Sequence, residues 1–206
     1  MPRPSVEAER REQILRAVCE VVSDSGFTSL RVTDVAERAQ ISTGSVHYYF
    51  ETKQDLIQAA FEWNFARSLE RRKSILSRKS SALDRLRAYV DSFLRQDAQT
   101  IASWHVWAEF WAAALHDPDL RELNERVYGK WRTMVSEIIR SGQAEGTIRP
   151  GDPAVLADTL VGAIDGLAIQ SLLGSRRTKS RQNRAVFEHL IDAMAVDPER
   201  AHVHST

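Results

Sequence analysis

Between Thr33 and Lys53 the chain reads TDVAERAQISTGSVHYYFETK, and its polar side chains are spaced for recognition. Thr43, Ser45, His47 and Tyr48 offer hydroxyl, imidazole and phenol groups within six residues, with Gly44 among them. Such groups hydrogen-bond base edges or phosphates, and a tyrosine ring can also meet a thymine methyl. Gly44 lets backbone approach a partner closely. Two short helices and a tight turn must hold these groups. Val35, Ala36 and Ala39 fall on one face of the first helix. Gln40-Ile41-Ser42 interrupts the pattern, and Ser42 can cap the second helix by accepting from a backbone N–H near Ser45. That helix buries Val46 and leaves Thr43, Gly44, Ser45, His47 and Tyr48 to a partner. Phe50, with Ile41 and Val46, can lock the pair at the steep angle of a helix-turn-helix.

From Gln13 to about Phe61 the stretch resembles the TetR family of bacterial repressors. The first helix (QILRAVCEVVSDSG), the segment GFTSLRVTDVAERA, the turn, the YYF run and TKQDLI all carry the match. The resemblance implies a dimeric DNA-binding regulator, with Thr43, Gly44, Ser45, His47 and Tyr48 at recognition-helix positions. It places Thr33, Tyr49 and Lys53 where the family commonly meets phosphates. Two positions depart from the pattern. Gln40 stands where many members have glycine, so it is expected in a left-handed conformation without glycine's steric freedom. Arg31 stands where many have Thr or Ser, removing a capping hydroxyl.

Composition is that of a soluble globular chain: 206 residues, 43% hydrophobic and 27% charged. No signal-peptide run opens the sequence, and no segment reads as long and apolar enough to cross a membrane. Cys19, the single cysteine, excludes an intrachain disulfide and a cysteine metal cluster, and its place on the first helix reads as core. The expectation is a cytoplasmic protein. Charge is the discordant datum. Lysines plus arginines equal aspartates plus glutamates at 28 each, and residues 1–53 hold seven cations against eight anions. A nucleic-acid binder usually shows a basic footprint. Balance at zero excludes indiscriminate binding and leaves a dimer making a few well-placed contacts, with modest, salt-sensitive affinity.

The rest reads as helices, giving an all-α fold: a three-helix DNA-binding domain over 1–53, then a helical regulatory and dimerisation bundle over 54–206. A long helix runs from Lys53 to about Ser77; its basic later part, RSLERRKSILSRK, reads as a solvated face or as extra phosphate contact. Ser80 or Ser81 caps the next helix, a further one spans about Gln99 to His116, and Asp117-Pro118 opens one to about Ser141. Gly142 to Gly151 reads as a loop. Asp152-Pro153 opens a helix to about Leu173, and the polar connection GSRRTKSRQ leads to a last helix near Asn183 to Ala195. Asp197-Pro198 ends that helix, and residues 201–206 are expected to fray. Ala154 to Leu173 is apolar on most of its circumference and must be covered. By resemblance, the last two helices form the homodimer interface. Two reading heads would then meet a pseudo-palindromic double-stranded operator, about 34–36 Å apart or a multiple of it.

Residues 100–170, with WHVWAEFWAAALHDPDLRELNERVYGKWR and GAIDGL, resemble the regulatory domain of BetI-type repressors, which govern betaine synthesis from choline. Trp104, Trp107 and Trp111 lie at helical spacing on one face, with Phe110, Tyr128 and Trp131 nearby. They suit aromatic core or the wall of an effector pocket. An aromatic face attracts a cation, so choline or another quaternary ammonium leads the candidates. Glu109 and Asp165 are possible polar contacts; Glu109 could also touch His105, and Asp165 could serve structure or the dimer interface. No third and fourth ligand supports a metal at His105 and Glu109, and no cofactor signature appears. An enzyme is the weaker alternative, lacking a nucleophile elbow, phosphate loop or Cys–His pair. An effector-independent DNA-binding dimer is the other.

Overall fold

A computed structural model describes residues 6–76, 80–174 and 180–196. Among them the chain forms α1 (Val6–Ser25), α2 (Val32–Arg38), α3 (Thr43–Tyr49), α4 (Lys53–Leu76), α5 (Ala82–Leu94), α6 (Ala98–Ala114), α7 (Pro118–Ala144), α8 (Pro153–Leu172) and α9 (Ser180–Met194). The only extended pairing among the described residues is a single bridge between Ile148 and Ala195. The Arg-rich connection before α9, Lys79, Asp197-Pro198 and the last six residues lie outside the described residues.

Two compact units divide the chain. The first comprises residues 1–69 and 98–123, so α6 belongs with α1–α3 rather than with the later helices. Ile14, Leu15, Val18, Val35, Ala36, Val46 and Phe50 form its apolar centre around the reading head, each 5% exposed or less. Phe110 of α6 lies with its ring centroid 4.2 Å from that of Phe61, and Phe61 stacks on Phe27 at 5.8 Å. Burying a phenylalanine fully stabilises by about 1.5–3 kcal/mol, so this stack is a substantial tie between α6 and the α1–α2 turn. Cys19 belongs here too. Its sulfur lies 3.7 Å from the Ala60 carbonyl oxygen, and burial pushes the thiol up to about 12, an inert state.

The second unit comprises residues 70–97 and 124–206, where α5, α8 and α9 pack on one another. Ser81 caps α5, its hydroxyl accepting from the Asp84 N–H. Asp152 caps α8 by accepting from the Ala154 N–H at 2.8 Å, with Pro153 as the first helical residue. Gly142 lies inside α7, where a loop was expected. A side chain there would meet Ile148 at 2.5 Å and Ala82 at 2.7 Å. Close approach, rather than a turn, requires this glycine.

The hydropathy expectation also needs correcting. Pro153–Leu172 is long and apolar enough to cross a membrane by length and composition. Within its unit, however, α8 packs on α5 and α9, and Asp158 and Asp165 on it are both engaged by side chains of α7.

Candidate nucleic-acid interface and aromatic clusters

The reading head is built from local bonds. Arg31 begins α2 in an extended conformation and supplies no side-chain cap, as its departure from the family pattern implied. Gln40 takes φ 54°, the left-handed conformation expected of it. The preceding carbonyl, that of Ala39, accepts from the Gln13 side-chain amide at 2.6 Å, which fastens α1 to the turn. Ser42 then starts α3; its hydroxyl accepts from the Ser45 N–H at 3.1 Å and lies 2.9 Å from the Ser45 hydroxyl.

Exposure separates the two faces of α3. Val46 is 1% exposed, whereas Tyr48 is 78% exposed. Thr43, Gly44 and His47 are also exposed, as are Thr33 and Lys53; Ser45 and Tyr49 are half-buried. Tyr48 and Tyr49 meet edge to face at 5.1 Å, which limits the freedom of both rings. An open cleft of about 630 Å³ runs beside them, lined by Arg10, Gln40, Ile41, Ser42, Gly44, Ser45, Tyr48 and Tyr49. Thr52 and Asp55 form a reciprocal cap at the start of α4. The Thr52 hydroxyl accepts from the Asp55 N–H, and the Asp55 carboxylate accepts from the Thr52 N–H, both at 3.0 Å. This fixes the backbone that carries Lys53.

Ion pairing sorts the head's charges into paired and unpaired groups. Arg38 reaches Asp24 at 2.7 Å and Glu20 at 3.4 Å. Glu12 is shared by Arg16 and Arg67. Three of the head's eight acids are thereby paired with arginines, while among the described residues Arg10, Arg11, Arg31 and Lys53 enter no ion pair.

The aromatic candidates fall into two groups. In the first unit, Trp111 lies 5.5 Å from Trp107 and 6.4 Å from Trp104, ring to ring. Trp107 and Trp111 are half-buried, so this face of α6 is partly open within its unit. Phe110, 1% exposed, points into the Phe27–Phe61 stack instead. Glu109 does not pair with His105. Its carboxylate accepts from the Phe27 N–H at 2.7 Å and lies over Gly26, which has φ 75°. A side chain at Gly26 would come within 3.3 Å of both Glu109 oxygens.

In the second unit, Tyr128 donates to the Asp165 carboxylate. Burial, partly offset by that bond, pushes the Asp165 carboxyl up to about 6. Burial and the neighbouring carboxylate drive the Tyr128 phenol upward. Arg132 lies over the Tyr128 ring at 5.7 Å and pairs with Asp158 at 2.8 Å. Trp131, 5% exposed, meets Phe93 at 5.6 Å and Tyr89 at 6.0 Å.

Arg72 was not singled out from the sequence. It belongs to the basic run expected to be solvated, yet it is 4% exposed. Its guanidinium lies 3.5 Å from the Phe93 centroid and 5.6 Å from that of Trp131. It donates to the Ser92 hydroxyl at 2.7 Å and to the Ser92 carbonyl at 3.1 Å. Burial lowers it to about 9. Only the pairing of α5 with α7 reveals this, and a run of arginines carries no such signal.

Residues 14–60 match the family described as "Bacterial regulatory proteins, tetR family". Residues 82–196, more than half the chain, match "BetI-type transcriptional repressor, C-terminal". The chain belongs to the TetR family. Within it, the regulatory part is of the BetI type, and the protein is a DNA-binding transcriptional repressor rather than an enzyme. The HTH-type transcriptional regulator BetI of Stenotrophomonas maltophilia is 28% identical over 92% of this chain and 95% of its own. A transcriptional regulator from Saccharomonospora viridis, solved in complex with choline, is 28% identical with a TM-score of 0.84, covering 92% of this chain and 98% of its own. A TetR-family regulator from Rhodococcus sp. has the same identity and a TM-score of 0.81, covering 90% and 98%.

Proposed function

We propose that this repressor is a cytoplasmic homodimer released from a pseudo-palindromic operator by a small organic cation, with choline the leading candidate. In this reading Thr43, Gly44, Ser45, His47 and Tyr48 read the major groove, while Thr33, Tyr49 and Lys53 hold phosphates. The observation that carries the effector reading is Asp165: a half-buried carboxylate bonded to Tyr128, on the unit that also holds Trp131. A quaternary ammonium cannot donate hydrogen bonds, so aromatic faces and one carboxylate suit it. The half-buried Trp107 and Trp111, with Trp104, are the second group of candidate contacts. Choline in the Saccharomonospora relative supports the ligand class. Glu109 and Phe110 are better explained by their bonds and packing inside the first unit. The effector must bind the DNA-incompetent state more tightly, and linkage then makes operator and effector antagonistic.

For the dimer, α8 supplies the support. Val155 on it and Leu173 at its C-terminal cap are 60% and 74% exposed. Gly162 and Gly166 are also exposed, and a side chain at either would meet nothing within the protomer. Glycines that no internal contact requires fit a helix from a second copy at close range.

One observation favours a second reading. Arg72 already holds a cation against Phe93 and Trp131, which suits an acidic or acyl ligand better than a quaternary ammonium. Calorimetry distinguishes them: choline titrated into wild type should give heat, and Trp107→Ala should bind it more weakly. Absence of heat with choline, but heat with a medium-chain fatty acid, would replace the first reading by the second. Undiminished choline affinity in the variant would remove Trp107 from the site.

A further inference from the structure

We infer that Arg10 of α1 is an additional DNA contact, a phosphate-binding side chain held ready by Gln13 beside the recognition helix. Arg10 lines the open cleft of about 630 Å³ together with Gly44, Ser45, Tyr48 and Tyr49. A phosphate beside the groove that α3 enters would therefore meet a guanidinium on its flank. The charge of Arg10 is uncompensated. Its Nη1 donates to the Gln13 side-chain oxygen at 2.9 Å, a neutral acceptor, whereas Arg16 and Arg38 on the same unit are occupied by carboxylates.

The geometry is also preorganised. The other end of the Gln13 amide donates to the Ala39 carbonyl at 2.6 Å, so one side chain links Arg10 to the turn that sets the angle of α3. Gln40, the next residue, lines the cleft with its backbone in the left-handed conformation. Gln13 is thus a positioning residue, and Arg10 the group that touches DNA. Arginine suits this role because its planar fork can give two parallel hydrogen bonds to one phosphate while another N–H stays on Gln13. The contact adds affinity without reading sequence. It also supplies positive charge to a head whose formal balance gives none.

The inference rests on α3 docking in the major groove, so the test carries a control for that. Duplex DNA selected from a randomised pool by wild type is titrated with wild type, Arg10→Gln, Arg10→Lys and Lys53→Ala over a range of salt. Phosphate-ethylation interference is read on the bound fraction alone, so that unfolded molecules do not contribute. Arg10→Gln should lower the slope of log K against log salt by about 0.9 per protomer. It should also erase interference at one phosphate per half-site, leaving base preference unchanged, and Arg10→Lys should restore most of the slope. Gln13→Met should weaken the same interference position more than any other. An unchanged slope and interference pattern in Arg10→Gln, with Lys53→Ala altered, would overturn the assignment. If Lys53→Ala were also without effect, the docking of the head would be what had failed.

Discussion

The two functional regions of this repressor are built on opposite principles. The side chains proposed to contact DNA lie within one stretch from Thr33 to Lys53, most of them on the short helix α3, and are held by bonds spanning a few residues, such as Ser42 to Ser45 and Thr52 to Asp55. The candidate effector groups come from α6, α7 and α8, lie partly or wholly buried, and have environments set by distant partners. The exposed region draws on the geometry of its short helix and turn. A buried one alters the chemistry of its own groups: Asp165 upward, Arg72 downward, Tyr128 upward, each chiefly through burial.

The sharpest consequence is a pH dependence in the second region. The folded-state pKa of Asp165 is about 6, above its unfolded value of about 3.9. The folded protein therefore binds the proton more tightly, and the stability this confers is present below about pH 4 and lost as pH rises through about 6. Asp165→Asn removes that loss while still accepting from Tyr128. Thermal melts should show the variant more stable than wild type at pH 8, by an amount on the order of 3 kcal/mol. The difference should shrink toward pH 4. In the same window, choline affinity should rise with pH in wild type, because the carboxylate ionises, and be flat in the variant. A pH-independent difference in melting would show that Asp165 is not held in this state.

A smaller effect tests where Glu109 belongs. Glu109→Ala leaves the half-buried Phe27 N–H without its charged acceptor and should cost about 1–2 kcal/mol. Chemical denaturation should register this loss, with choline affinity unchanged if Glu109 serves the first unit alone. A stable variant with weakened choline binding would move Glu109 back among the effector contacts.

The smallest expected effect lies in the turn. Gln40 carries the left-handed conformation at a cost of about 1–2 kcal/mol, and glycine would remove that cost while losing some through its freer unfolded chain. Gln40→Gly should therefore stabilise by about 0.5 kcal/mol in denaturant midpoint, with operator preference unchanged.

What could be read from sequence follows the same division. The cap at Ser42 and the burial of Val46 depend on neighbours within a few residues, and periodicity with residue type exposes them; the uncapped Arg31 and the left-handed Gln40 are legible only through departures from the family's pattern. Glu109 meets Phe27 across 82 positions, and Arg72 meets Phe93 and Trp131 across α4, α5 and α7. No local pattern signals either contact. The tryptophan spacing on α6 correctly implied neighbouring rings, but Phe110 one residue away turns to the core. Gly142, too, reads as a turn until Ile148 and Ala82 are seen against it.

The central claim, that the exposed face of α3 reads DNA, is tested most directly by selecting duplexes from a randomised pool with wild type and His47→Asn in parallel. His47 is exposed on that face, so the substitution is expected to leave the head's packing intact. Wild type should recover a sequence with two related half-sites, and His47→Asn should recover one altered at the same position in each half. An identical consensus from both proteins, or none from wild type, would contradict the account.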